Sequence, residues 1–159
     1  MSDPASDPLS ERAPNAKNRL NFGLLSGLVG YQLRRAQVAV FQHFGAAFAD
    51  LELTPGQLGA LLLIDANPGL SQSALGGALG VDRSTVVPLI DRLEARGLVI
   101  RAPSPRDRRS HALRLSPTGT QLLAHAAAQV REHENAIAHR LNDAERRTLL
   151  TLLAKIGAD

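Results

Sequence analysis

Five arginines lie within fourteen residues, Arg101 to Arg114, in the sequence RAPSPRDRRSHALR. With one aspartate, Asp107, the segment holds five positive charges and one negative charge, a balance of +4 in a chain of 159 residues whose net charge is +3. Guanidinium groups form paired hydrogen bonds with phosphates and enter narrow minor grooves of DNA. The segment therefore indicates nucleic-acid binding, with an exposed and solvated charge run as the alternative.

The residues on either side of the arginines predict two strands. Gly97-Leu98-Val99-Ile100 is a helix-ending glycine followed by an apolar run with β-branched residues, and His111 to Leu115 alternates apolar and polar residues with a period of two. The tip of this hairpin is predicted at Pro103 to Ser110, because prolines interrupt a paired ladder. The arginines are thus expected on a projecting β-hairpin.

Two helices with good capping residues precede the hairpin. Ser71 is expected to cap a short helix that stops at Gly80, and Asp82 to cap a helix that runs to Gly97. Two helices joined by a tight turn and followed by a basic hairpin predict a winged helix-turn-helix. In that fold the second helix enters the major groove of DNA, and the hairpin, or wing, reaches the flanking minor groove or backbone.

Further helices are predicted on both sides of this region. One runs from about Leu20 to Ala49 and carries all five aromatic residues, and another begins at the capping box Thr54 to Gln57. Two more follow the hairpin, from Ser116-Pro117 to about Arg140 and from the capping box at Asn142 to about Ile156. The fold class is therefore mainly α, with six helices and a small β-hairpin wing. The expected regions are a mobile arm (1–18), dimerisation helices (19–52 and 116–159) and the winged helix-turn-helix (53–115).

A helical wheel divides the helix that begins at Asp82 into an apolar face and an exposed face. Its apolar side chains point inward, Ser84 and Pro88 point outward, and Arg83, Thr85, Val87 and Arg92 lie on the flanks. Pro88 cannot donate a backbone hydrogen bond, so a local kink or bend is predicted there.

The stretch from Leu53 to Gly119 resembles the MarR family of transcriptional regulators. Its sequence is LTPGQLGALLLIDANPGLSQSALGGALGVDRSTVVPLIDRLEARGLVIRAPSPRDRRSHALRLSPTG, in which DRSTVVPLIDRLEARGLV and the DRR motif closed by LSPTG are distinctive. The resemblance implies an obligate homodimer in which the first and the last two helices interleave. It also implies a repressor that binds operator DNA, which would be palindromic, and releases it when a small ligand binds.

Within this frame, Arg109, the second arginine of DRR, is the candidate for minor-groove insertion, with Arg106 and Arg108 on phosphates. Asp107 is expected to hold a wing arginine in place. Because Pro88 occupies a position where relatives often carry a base-reading residue, more of the specificity is expected from Arg83 to Thr85 and from the wing. The predicted DNA-contacting residues are Ser71, Ser73, Arg83, Ser84, Thr85, Val87, Arg92, Arg106, Arg108 and Arg109.

The first long helix offers aromatic rings and cations for a small-molecule effector. Tyr31, Arg34, Arg35, Phe41 and Phe44 are predicted to line a cavity for an aromatic carboxylate or an anionic thioester. The alternative is that the aromatics form dimer core and the arginines face solvent. The segment GLVGYQLRRAQVAVF is also similar to regulators of hydroxycinnamate or aromatic-acid catabolism, some of which sense the coenzyme A thioester.

Other function classes find little support in the sequence. There is no cysteine, which excludes disulfides and thiol sensing, and no HExxH, nucleophile elbow, phosphate loop or Rossmann fingerprint. We therefore expect that the chain is not an enzyme, has no cofactor and does not interact with a membrane. A cytoplasmic location is expected too. Sensing of a metal by the histidines, and an architectural DNA-binding protein without an effector, remain as alternatives.

Overall fold

A computed structural model describes residues 20–103 and 111–156 of the chain. The chain divides into two compact units, Met1–Arg35 and Ala36–Asp159, and the boundary falls within the first α-helix. In the first unit, a 3₁₀ helix, Gly23–Gly27, precedes α1, which spans Val29–Ala47.

The second unit contains most of the regular structure. After a 3₁₀ turn at Ala49–Leu51, its elements follow in the order helix, strand, two helices, two strands and two helices. They are α2 (Pro55–Ala66), β1 (Leu70–Ser71), α3 (Gln72–Leu79), α4 (Arg83–Ala95), β2 (Val99–Pro103), β3 (His111–Leu115), α5 (Pro117–Ile137) and α6 (Asp143–Ile156). Six α-helices and a small sheet among the described residues confirm the predicted fold class.

The sheet is antiparallel with the order β1-β3-β2. Val99 pairs with Leu115 and Pro103 with His111, while the short β1 pairs Leu70 with Leu113 on the other side of β3. The pairing joins the wing to the start of α3, because Ser71 at the end of β1 is also the residue that caps α3.

The core of the second unit is formed by side chains of α2, α3, α4 and β3, together with Phe48 just after α1. Phe48, Leu61, Ile64, Leu75, Val86, Ile90, Leu93 and Leu113 are fully buried there. Removing large apolar side chains of this kind from water supplies most of the driving force for folding. The helix that carries Val86, Ile90 and Leu93 is therefore held by its inner face, which leaves its outer face exposed.

Three predicted boundaries were wrong. The first helix begins at Val29 rather than near Leu20, because Gly23 adopts a left-handed φ of 50° and its N–H donates to the Asn21 side chain (2.9 Å). The long helix after the hairpin ends at Ile137 rather than near Arg140, where the ring of His139 hydrogen-bonds the carbonyl oxygen of Ala136 (2.7 Å).

The third error concerns Pro103, which ends β2 instead of starting the hairpin tip. A proline is tolerated at that place because a strand end does not require every N–H to donate.

Candidate nucleic-acid interface

The helix-turn-helix is formed by α3, α4 and a short turn between them. Ser71 caps α3 by accepting a hydrogen bond from the N–H of Ala74 (3.1 Å), and α3 ends at Gly80, whose φ of 66° is in the left-handed region that favours glycine. The N–H of Val81 then donates to the carbonyl oxygen of Gly76 (3.0 Å). These bonds orient the start of α4.

The first turn of α4 presents a capped and fully exposed N-terminus. The Asp82 carboxylate accepts from the N–H of Thr85 (2.9 Å) and from the hydroxyl of Ser84 (2.6 Å). The Ser84 hydroxyl, followed by the Thr85 amide, holds the pKa of the Asp82 carboxyl below its usual value. Ser84 therefore serves the cap, and its oxygen remains able to accept a hydrogen bond.

Most of the predicted α4 contacts are exposed. Arg83, Ser84, Thr85 and Arg92 are exposed and Val87 is half-buried. On α3, Ser73 is exposed, whereas Ser71 is half-buried and engaged in capping. The wing candidates Arg106, Arg108 and Arg109, together with Asp107, lie outside the described residues.

Pro88 lies in the middle of α4 and is exposed. The helix continues through it from Arg83 to Ala95, although the bond from residue 88 to the carbonyl of Ser84 cannot form. The carbonyl of Ser84, in the first turn of α4, therefore does not accept the usual helical bond from residue 88.

The base of the wing is fixed by the start of α5. The N–H of Ser116 donates to the carbonyl oxygen of Leu98 (3.0 Å), and its hydroxyl donates to the carbonyl oxygen of Gly97 (2.5 Å) while accepting from the N–H of Gly119 (2.9 Å). Position 119 requires glycine, because a Cβ there would lie 2.1 Å from the oxygen of Leu98. The LSPTG sequence therefore joins the end of α4, the wing and α5.

One arginine of the basic segment faces α4 directly. Arg101 on β2 forms ion pairs with Asp91, through Nη2, and with Glu94, through Nη1 (3.0 Å). Its side chain is only 20% exposed. Sequence reasoning counted Arg101 among the basic residues but did not find this contact, since nothing in the local pattern reports which face of the strand meets α4.

The effector candidates of the first unit lie on the first turns of α1. Tyr31 is half-buried, and the guanidinium carbon of Arg35 lies 5.8 Å from the centre of its ring, the geometry of a cation–π contact. The ring of Phe22 lies 6.1 Å from that of Tyr31. Arg34 and Arg35 are both exposed.

In the second unit, the two remaining effector candidates differ in burial. Phe41 is 51% exposed, whereas Phe44 is 5% exposed and stacks on Phe48 with ring centres 4.2 Å apart. Phe44 therefore belongs to the hydrophobic core. Its ring is thus used for packing within the single chain.

A contact between two histidines was missed by sequence reasoning. Nδ1 of His43 on α1 lies 2.8 Å from Nδ1 of His133 on α5, and the buried ring of His133 makes T-shaped contacts with the rings of Phe44 and Phe48. The two histidines are ninety residues apart in the chain, so no spacing rule could have joined them.

Within residues 20–103 and 111–156, no group of three or more His, Cys, Asp or Glu side chains is placed to hold a metal ion. No helix among those residues is long and apolar enough to cross a membrane.

Comparisons with known proteins identify the family of the chain. A family model described as "MarR family" matches residues 51–110. A protein of Thauera aromatica named as a transcriptional regulator for the hcr operon is 44% identical over 135 residues, which cover 84% of this chain and 81% of the relative. The chain belongs to the MarR family.

Two solved structures of the repressor CouR resemble this MarR-family chain over most of its length. CouR bound to a 23-mer DNA duplex has a TM-score of 0.83 and 44% identity, covering 89% of this chain and all of that one (100%). CouR bound to p-coumaroyl-CoA has a TM-score of 0.81 and 41% identity, covering 88% and 99% of the two chains. The resemblance found in the sequence is therefore confirmed, and it places the chain in a family of transcriptional regulators.

Proposed function

We propose that this MarR-family protein is a homodimeric repressor that binds a palindromic operator and releases it on binding an aromatic acyl-CoA thioester. The observation that carries the proposal is its likeness to CouR, solved with a DNA duplex and with p-coumaroyl-CoA, at 44% and 41% identity over nearly the whole chain. At that level of identity, the same fold can present both a surface for DNA and a site for an acyl-CoA ligand.

The DNA-binding part of the proposal rests on the N-terminus of α4. Unpaired N–H groups and the helix dipole make a helix N-terminus attractive to phosphate. Arg83 is exposed there, beside Ser84 and Thr85, and can bond a guanine edge or a phosphate. In the proposal Arg109 enters the minor groove, Arg106, Arg108 and Arg92 bind phosphates, and Ser71, Ser73 and Val87 flank the contact.

The dimer is supported by the apolar side chains that the single chain leaves exposed. On α6, Leu149, Leu150, Leu152, Leu153 and Ile156 are all exposed. Neighbouring exposed apolar side chains of this kind mark an interaction surface. A second copy that covers them would place two α4 helices on two half-sites about one turn of DNA apart.

The effector part rests on the cation–π pair of the first unit. Arg35 already lies over the Tyr31 ring, and Arg34 adds a second exposed guanidinium. Adjacent guanidiniums favour a ligand with phosphates, and an aromatic ring favours stacking with a planar group. A coenzyme A thioester offers both. Phe41 stays a candidate for contact with the aromatic acyl group, whereas the burial of Phe44 favours packing for that residue.

Isothermal titration with three probes tests the effector proposal. p-Coumaroyl-CoA should bind most tightly, with free coenzyme A and free p-coumarate each at least tenfold weaker, because each provides one half of the ligand. The double variant Arg34→Ala/Arg35→Ala should weaken the thioester by about tenfold or more, since it removes two charge-assisted contacts. The variant Arg140→Ala, another exposed arginine, is the matched control and should bind normally.

Equal affinity of p-coumarate and p-coumaroyl-CoA would contradict a thioester effector and favour the free acid. Failure of all three probes to bind would remove the aromatic thioester from the proposal.

A further inference from the structure

Arg101 connects the wing to α4 through a pair of ionic contacts. On β2, Val99 and Arg101 are two residues apart and share one face of the strand. Val99 is buried in the core, and Arg101, on the same face of the strand but at the edge of the core, reaches α4. There its two terminal nitrogens meet two different carboxylates, those of Asp91 and Glu94.

The two carboxylates lie on the exposed part of α4. Asp91 follows Ser84 by seven residues, which brings it back to nearly the same side of α4, and Glu94 lies one turn further on. Both are exposed. Without Arg101 both carboxylates would repel phosphates, whereas the guanidinium between them offsets one of their two negative charges.

We propose that Arg101 is a positioning residue for DNA binding. Through its contacts with Asp91 and Glu94 it fixes the wing against α4 and offsets one of the two negative charges that these residues place on that helix. Arg101 thus supports the contact without itself touching DNA. The inference rests on the proposed function, in that α4 and the wing bind one operator together.

A direct contact between Arg101 and a phosphate is the competing explanation for any loss of DNA binding on mutation. Removing the carboxylates that pair with Arg101 distinguishes the two explanations. If Arg101 acts through Asp91 and Glu94, its removal should matter only while those carboxylates are present. If it binds a phosphate, its removal should matter equally with and without them.

The test is a double-mutant cycle on operator affinity. The operator is selected from random duplex DNA by the wild-type dimer, and specific binding by the wild type is the separate test of the proposed function. Arg101→Met should weaken operator binding by about tenfold in the native background. In the background Asp91→Asn/Glu94→Gln the same substitution should change it by less than about threefold. Arg101→Lys retains the positive charge but not the two-pronged guanidinium, so it should weaken operator binding less than Arg101→Met does.

A matched control comes from the neighbouring strand. Arg114 on β3 is exposed and lies opposite Ile100, so Arg114→Met removes one positive charge from the same sheet. Its effect on affinity should be the same in both backgrounds.

The fixation of the wing is tested without DNA. Hydrogen exchange of the free dimer, followed by mass spectrometry, should show faster exchange of the amides of 99–102 in Arg101→Met than in wild type or Arg114→Met. The amides of α2 should exchange unchanged in all three, which also shows that the variant is folded.

An equal loss of affinity in both backgrounds, or wing amides that exchange at the wild-type rate, would overturn the proposal. Because hydrogen exchange needs no operator, this result does not depend on the success of the DNA experiments.

Discussion

Replacing Gly119 by alanine tests how the wing is anchored to α5. The added Cβ would lie 2.1 Å from the carbonyl oxygen of Leu98, more than 1 Å inside ordinary contact, and that oxygen belongs to rigid backbone. The start of α5 must therefore move. The movement strains the three hydrogen bonds of Ser116 to Leu98, Gly97 and Gly119 itself.

The expected cost follows from these contacts. A net contribution of about 1 kcal/mol for each of the three strained hydrogen bonds, added to an overpacking cost of about 1 to 3 kcal/mol, lowers the free energy of unfolding by about 4 to 6 kcal/mol. Urea denaturation at a fixed protomer concentration measures it, because the stability of a dimer depends on concentration.

Gly56→Ala is the matched control for this substitution. Gly56 also lies in the first turn of a helix that begins with proline, but a Cβ there would meet nothing within 4 Å. Alanine in place of Gly56 should leave the stability unchanged or raise it by up to about 1 kcal/mol. A Gly119→Ala variant within about 1 kcal/mol of wild type would refute the proposed anchoring of the wing.

Three other predictions concern single side chains. Arg96→Met should lower the free energy of unfolding by about 1 kcal/mol in urea denaturation, because Arg96 donates to the carbonyl oxygens of Leu51 (2.9 Å) and Glu52 (2.7 Å); an unchanged midpoint would contradict it. Burial, and then the charge of its partner histidine on α1, lowers the pKa of His133, so unfolded chains take up its proton more readily. The stability that neutral His133 contributes should therefore be fully present above pH 6.5, and thermal stability should fall as the pH decreases below that value. This pH dependence should be weaker in His133→Phe. Arg109→Ala should weaken operator binding by about 1 to 3 kcal/mol in gel-shift titrations at fixed salt and leave the dimer intact; unchanged affinity would argue against minor-groove insertion.

Local sequence chemistry predicted the winged helix-turn-helix well. The caps at Thr54, Ser71 and Asp82 all accept the expected backbone hydrogen bonds, because capping depends on a few adjacent residues. The apolar face of α4 was predictable for the same reason, since a period of 3.6 residues fixes which side chains turn inward.

Features that depend on distant residues could not be predicted. Strand β1 has two residues, too few to show a period, and exists because Leu70 lies beside Leu113. Similarly, the ion pairs of Arg101 depend on how the sheet packs on α4, which no local spacing reports.

Among the effector candidates, the sequence identified aromatic and basic residue types but not their burial. Phe41 and Phe44 are three residues apart on one helix, yet only Phe44 enters the core. Which aromatic side chains are available to a ligand therefore depends on tertiary packing.

In the proposed function, binding of an aromatic acyl-CoA thioester lowers the affinity of this protein for operator DNA, and binding of DNA lowers its affinity for the thioester. Fluorescence anisotropy with the selected operator, at zero and at saturating p-coumaroyl-CoA and at one salt concentration, measures the coupling between them. The claim predicts that the thioester weakens operator binding by about tenfold or more, and that operator DNA weakens thioester binding by the same factor. An operator affinity that is independent of the thioester, or one no higher than for a scrambled duplex, would contradict it.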